Sequence, residues 1–159
     1  MKFNDASLAQ IYAANPIKNT WVSANAGSGK TRVLTDRVAR LLLNNTDPQK
    51  ILCLTYTKAA AAEMQNRLFD SLGKWAMLPD EELRTELKSL GENENILSPD
   101  KIKQARTLFA AALETPGGLK IQTIHSFCDA LLRRFPLEAG VSPQFNMLAE
   151  RQAKQLRIE

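Results

Sequence analysis

The chain has only two cysteines, Cys53 and Cys128, and no paired CxxC spacing, so neither a disulfide framework nor a thiolate metal knuckle holds it together. Both sit in apolar or helix-like stretches and read as buried free thiols of a reducing cytoplasm. No apolar run approaches the length that spans a bilayer, and the opening residues carry an early acid and no apolar h-region. A membrane protein and a secreted one are therefore not expected, and the expected compartment is cytoplasmic. There is no internal repeat and no low-complexity segment. Positive residues are scattered rather than gathered in a block, so the net charge of +4 permits a nucleic-acid partner without requiring one. Nor does any Asp-Glu pair follow an apolar strand. The only consecutive acidic run, Asp80-Glu81-Glu82, follows Pro79 and reads as the capping turn of a helix.

What is present is an ordinary globular composition. Its 159 residues are 44% hydrophobic, enough for one core without metals or disulfides. A short helix over 6–14 stops at Pro16. Thr20–Ala24 reads as a short buried strand, followed by a helix from about Lys30 to Leu43. In that helix Val33, Leu34, Val38, Leu41 and Leu42 recur at helical spacing, leaving Arg32, Asp36, Arg37 and Arg40 to face outward. Ile51–Thr57 is a continuous apolar run of strand length, of the kind covered on both faces of a parallel sheet. Ala59–Leu72 is a second helix with Met64, Leu68 and Leu72 on one stripe. Residues 74–114 are polar, leucine-spaced and helical, opened by Pro79-Asp-Glu-Glu and again by Ser98-Pro-Asp, and read as a helical insertion. A strand over Leu119–Ile124 and a helix over Ser126–Phe135 complete the order. Alternating strands and helices predict an α/β fold with a parallel sheet. Trp21 and Trp75 read as packing residues, and Arg133 and Arg134 as a solvated helix face.

The strongest chemical signal is Ala24-Asn25-Ala26-Gly27-Ser28-Gly29-Lys30-Thr31. It fits the phosphate-loop (Walker A) pattern with alanine in place of the first glycine. Its context, between a predicted strand and a predicted helix, is what the pattern requires. Gly27 and Gly29 let the backbone curl so that successive N–H groups point at phosphate oxygens, and the helix adds its positive end. Lys30 is the catalytic candidate, reaching the β- and γ-phosphates, and the Thr31 hydroxyl is a ligand for Mg²⁺. ATP and Mg²⁺ are the expected cofactors.

Three segments in order carry a resemblance. The loop, then Ile51-Leu-Cys-Leu-Thr-Tyr-Thr-Lys-Ala-Ala-Ala-Ala-Glu-Met64, then Ile121-Gln-Thr-Ile-His-Ser-Phe127 resemble the first motifs of superfamily 1 helicases of the UvrD/Rep type. Within these the wording is most similar to the AddA-type subunits of bacterial double-strand-break repair helicase–nucleases. The resemblance implies a RecA-like motor domain 1A over 1–136, with the helical insertion at about 74–114, and the start of a 1B insertion over 137–159, both truncated. It implies that Gln10 bonds adenine, that Arg32 contacts the nucleotide, and that Tyr56, Thr57, Thr123 and His125 meet DNA. All but Thr123 have a plainer alternative: a solvated helix glutamine, an exposed arginine, a core tyrosine, helix-capping threonine at Thr57, a structural histidine. The family wording after the threonine is Asn-Lys, whereas here Lys58-Ala59 stands, shifting the lysine by one position. The implied activity is an ATP-dependent 3′-to-5′ DNA helicase acting on single-stranded DNA and DNA ends beside an AddB-type subunit. Without the carboxylate pair, these residues alone are expected to bind without turnover. A nucleotide- or DNA-binding module, and an unrelated phosphate-loop kinase with the insertion as its lid, are the rival readings.

Overall fold

The computed structural model describes residues 5–25, 27–146 and 148. Along the chain run α1 (Asp5–Ala13), α2 (Lys30–Leu43), β1 (Leu52–Thr55), α3 (Lys58–Met77), α4 (Asp80–Ser89), α5 (Pro99–Leu113), β2 (Lys120–Thr123) and α6 (Ile124–Arg134). β1 and β2 pair in parallel, with Leu52 opposite Lys120 and Thr55 opposite Thr123. Parallel neighbours need a long crossover, and α3, α4 and α5 supply it. The chain is thus α/β with a small parallel sheet.

Local chemistry explains most boundaries. Thr57 caps α3 by accepting from the Ala60 amide, and Ser98 caps α5 with Pro99 in the first turn. Asp80, Glu81 and Glu82 fill the first turn of α4, where negative charge suits the helix dipole. Met64, Leu68 and Leu72 are buried as one stripe of α3, as their spacing predicts. That helix runs on to Met77 and buries Trp75 as well.

The core lies among the helices rather than on the sheet. Leu43, Leu68, Leu72, Trp75, Leu83 and Leu87 are fully enclosed, and Ile102, Ala105, Leu108 and Ala112 of α5 join them. Residues 78–114 therefore share one core with α2 and α3.

Several expectations are corrected. Thr20–Ala24 is not a strand, because no strand among the described residues lies beside it to complete a backbone ladder. Trp21 within it does not pack, being 93% exposed. β1 is open on one face, with Leu52 and Leu54 exposed, so burial on both faces does not hold. In α2 the buried set is Val33, Thr35, Val38, Ala39, Arg40, Leu42 and Leu43, which turns Leu34 outward. Arg40 faces inward, against expectation, because Glu92 meets it from far along the chain. Among the described residues no helix is long and apolar enough to cross a membrane.

Both thiols are free. Cys53 is half-buried, and burial pushes its thiol pKa up, whereas Cys128 is exposed on α6, contrary to the burial expected of it. The outward faces of α6 explain this, since none of its residues is buried. At neutral pH an aromatic disulfide reagent should therefore modify Cys128 first and Cys53 about tenfold more slowly. Equal rates would contradict the cover drawn over β1.

Candidate functional site

The loop between Ala24 and Thr31 is shaped by two left-handed glycines, Gly27 at φ 79° and Gly29 at φ 89°. Gly29 is the N-cap of α2 and offers no side chain, so the N–H groups of the first helical turn are not claimed by a capping residue. The Ser28 hydroxyl and amide both donate to the Asn25 carbonyl, at 2.6 and 3.3 Å, which closes the turn. Lys30 folds back over the loop and its ammonium donates to the Ala24 and Asn25 carbonyls, both at 2.6 Å. Ala26 lies outside the described residues.

Gln10 comes to this loop from α1. Its Nε2 donates to the Ser28 carbonyl at 3.3 Å, and a Cβ placed on Gly29 would stand 2.9 Å from the same nitrogen. Backbone conformation requires glycine at 29, whereas a Cβ there would only push aside the flexible end of Gln10. Thr31 is half-buried; Arg32 is exposed and stands 3.6 Å from Asp36 one turn on. Burial pushes the Asp36 carboxyl above its ordinary range, against the pull of Arg32.

A cleft of about 460 Å³ opens in front of the loop. Gly27, Gly29, Lys30, Thr31 and Arg32 line it from one side, Glu63 and Arg67 of α3 from the other. The structure therefore brings five of the predicted residues together. It adds two that sequence reasoning missed. Glu63 and Arg67 form a 2.7 Å ion pair at i,i+4 spacing, which is legible in sequence as a helix-surface pair but not as a wall of this cleft. Among the described residues no group of three or more His, Cys, Asp or Glu side chains could hold a metal ion.

The second group of predicted residues follows the sheet. Because Thr55 pairs with Thr123, the two strands end side by side, and the segments after them leave from one edge. Tyr56 is 82% exposed, so it does not fill the core. The Thr57 hydroxyl accepts from the Ala60 amide at 3.1 Å and starts α3. Thr123 is buried, and its hydroxyl accepts from the Ser126 amide at 3.1 Å and starts α6. His125, the only histidine of the sequence, is exposed in the first turn of α6. Two helix N-termini, an exposed aromatic ring and an imidazole thus share one strand edge. Lys58, the displaced lysine, is the exposed first residue of α3.

This chain belongs to the UvrD/REP helicase N-terminal domain family, whose model matches residues 5–159. It is similar to the AddA-type ATP-dependent helicase/nuclease proteins of several bacteria. Against that of Desulforudis audaxviator it is 37% identical over 145 residues, covering 89% of this chain and 10% of the relative. Against that of Lactobacillus acidophilus the identity is 34% over 129 residues, covering 81% of this chain and 9% of the relative. With Pediococcus pentosaceus it is 28% over 158 residues, covering 99% and 11%. The AddA-type resemblance of the three segments is borne out. The chain spans about a tenth of the length of these relatives.

Proposed function

We propose that this chain is the nucleotide-binding, N-terminal part of an ATP-dependent DNA motor with a RecA-like phosphate-loop fold. The observation that carries the proposal is the loop itself. Two left-handed glycines open α2 without a capping side chain, Lys30 lies across the loop, and Gln10 is tied to it. The backbone N–H groups of Gly27 to Thr31 hold the ATP phosphates, and Lys30 exchanges its carbonyl partners for β- and γ-phosphate oxygens. Ala24, Asn25 and Ala26 form the loop's entry, and Gln10 and Arg32 serve the base side. Gln10 can both donate to and accept from an adenine edge. The Thr31 hydroxyl is a ligand for Mg²⁺, which when bound neutralises charge on the transferring phosphate.

DNA meets the strand edge. Tyr56 stacks on a base, and Thr57 with the N-terminus of α3 takes a backbone phosphate. Thr123 acts through its cap on α6, which sets His125 outward toward the DNA backbone. Base stacking tolerates any sequence, as a motor stepping along arbitrary DNA requires. By the motif resemblance of its three segments, the whole protein moves 3′ to 5′ on single-stranded DNA and at DNA ends in double-strand-break repair. It works in the cytoplasm beside an AddB-type subunit. Residues 1–136 belong to motor domain 1A, with its insertion at about 74–114, and residues 137–159 lead to 1B. Asp80–Glu82 caps α4 and does not supply the carboxylates that hydrolysis needs, so these 159 residues bind nucleotide without turning it over.

At the length of its relatives the protein should hydrolyse ATP faster when single-stranded DNA is added, and Lys30→Ala should reduce that rate to background. ATPase indifferent to DNA, with phosphate passed to a small acceptor, would point to a kinase instead. In the same protein Tyr56→Ala should weaken single-stranded DNA binding about 5- to 100-fold whatever the sequence, the loss of one stacked base. Fluorescence anisotropy with several oligonucleotides measures it. An unchanged affinity would remove Tyr56 from the DNA track.

A further inference from the structure

The helix that carries Gln10 is held differently from α2 to α5. None of the residues in α1 is buried, so no apolar stripe fixes its place. Arginines of α2 reach it instead. Arg37 donates to the carbonyls of Asn15 at 2.6 Å and Lys18 at 2.7 Å, just past the end of α1. Arg40, about three turns beyond Lys30, donates through Nη1 to the Ile11 carbonyl at 3.1 Å, one residue from Gln10.

Arg40 has a second set of partners. Its Nε donates to Glu92 Oε1 at 2.9 Å and its Nη2 to the Gly91 carbonyl at 3.4 Å. The two side chains of this ion pair are only 8% and 7% exposed. Gly91 sits at φ 91°, and a Cβ there would run into Cγ2 of Ile11. One guanidinium therefore joins α2, the last turn of α1 and the turn that follows α4. A pair this far out of water is well defined in geometry, and removing one partner strands the other's charge.

We propose that the Arg40–Glu92 pair, with Gly91, is a positioning device for the nucleotide site. It sets α1 so that Gln10 lies against the phosphate loop, and the turn after α4 thereby tunes how firmly the base of a bound nucleotide is held. Neither residue touches nucleotide. The inference rests on the phosphate-loop and Gln10 readings above.

The test compares two ligands of this chain by calorimetry: ATP with Mg²⁺, and inorganic tripolyphosphate with Mg²⁺, which has no base. Glu92→Gln should weaken ATP binding about tenfold, the loss of roughly one hydrogen bond, and leave tripolyphosphate within about twofold. Gly91→Ala, which keeps both charges but pushes on Ile11, should give the same selective loss. In a Gln10→Ala background neither change should weaken ATP further, because the effect runs through Gln10. If Glu92→Gln fails to fold by circular dichroism, Gly91→Ala decides. Equal losses for both ligands, or no loss for either, would overturn the proposal. Equal affinity of the unaltered chain for the two ligands would remove Gln10's contact with the base and this inference, leaving the phosphate loop standing. An unaltered chain that binds neither ligand would overturn the phosphate-loop reading and this inference together.

Discussion

Lys30→Ala is expected to weaken ATP binding by this chain about a hundredfold while leaving its thermal unfolding nearly unchanged. The lysine is exposed and its hydrogen bonds go to exposed loop carbonyls, so the fold loses little with it. A charged hydrogen bond to a phosphate is worth about 1.5–3 kcal/mol, and Lys30 can make two. A loss of roughly 3 kcal/mol corresponds to about two decades in affinity. Calorimetric titration beside a melting curve separates the two effects. A variant that binds ATP as before would show that the loop is only a glycine-rich turn. A variant that melts far earlier would assign Lys30 to the fold instead.

Trp75→Ala should be the most damaging single change in the core. The indole is 1% exposed, in a cluster with Leu68, Leu72, Leu83 and Leu87, all fully enclosed. Truncating a buried tryptophan costs about 3–5 kcal/mol, from lost burial and the cavity left behind. That is a large part of the roughly 5–15 kcal/mol that stabilises an ordinary domain. Trp21→Ala makes the control, since a ring 93% exposed contributes almost nothing. Urea unfolding followed by circular dichroism should show a much lower midpoint for the first variant and an unchanged one for the second. Similar midpoints would contradict the placement of the core among the helices.

The contrast between the two tryptophans shows where sequence reasoning succeeds and where it stops. Spacing along one helix carries the stripe of Met64, Leu68 and Leu72, and the Ser98-Pro99 start of α5 is written in capping chemistry. The α2 boundaries at Lys30 and Leu43 are equally local, set by Gly29 and by the turn at Asn44. Burial of Trp21 or Leu52 is not local, because it depends on which neighbouring strand or layer covers the face. Arg40 is invisible for the same reason: its partner Glu92 lies 52 residues away.

The candidate site divides in the same manner. Gly27, Gly29, Lys30 and Thr31 announce themselves because consecutive residues build the loop. Gln10 reaches Ser28 across 18 residues, and only a family resemblance points to it. Glu63 and Arg67 look like any surface pair on a helix until α2 and α3 are set side by side. Tyr56 is undecided between core and surface in the sequence, and its 82% exposure decides for the surface.

Amide chemical shifts, followed while ATP with Mg²⁺ is titrated into this chain, test the central claim most directly. A saturable response should be largest at the amides of Gly27, Ser28, Gly29, Lys30 and Thr31 and at the Gln10 side chain, and absent in Lys30→Ala. Shifts that never saturate, or that cluster away from the loop, would contradict the account.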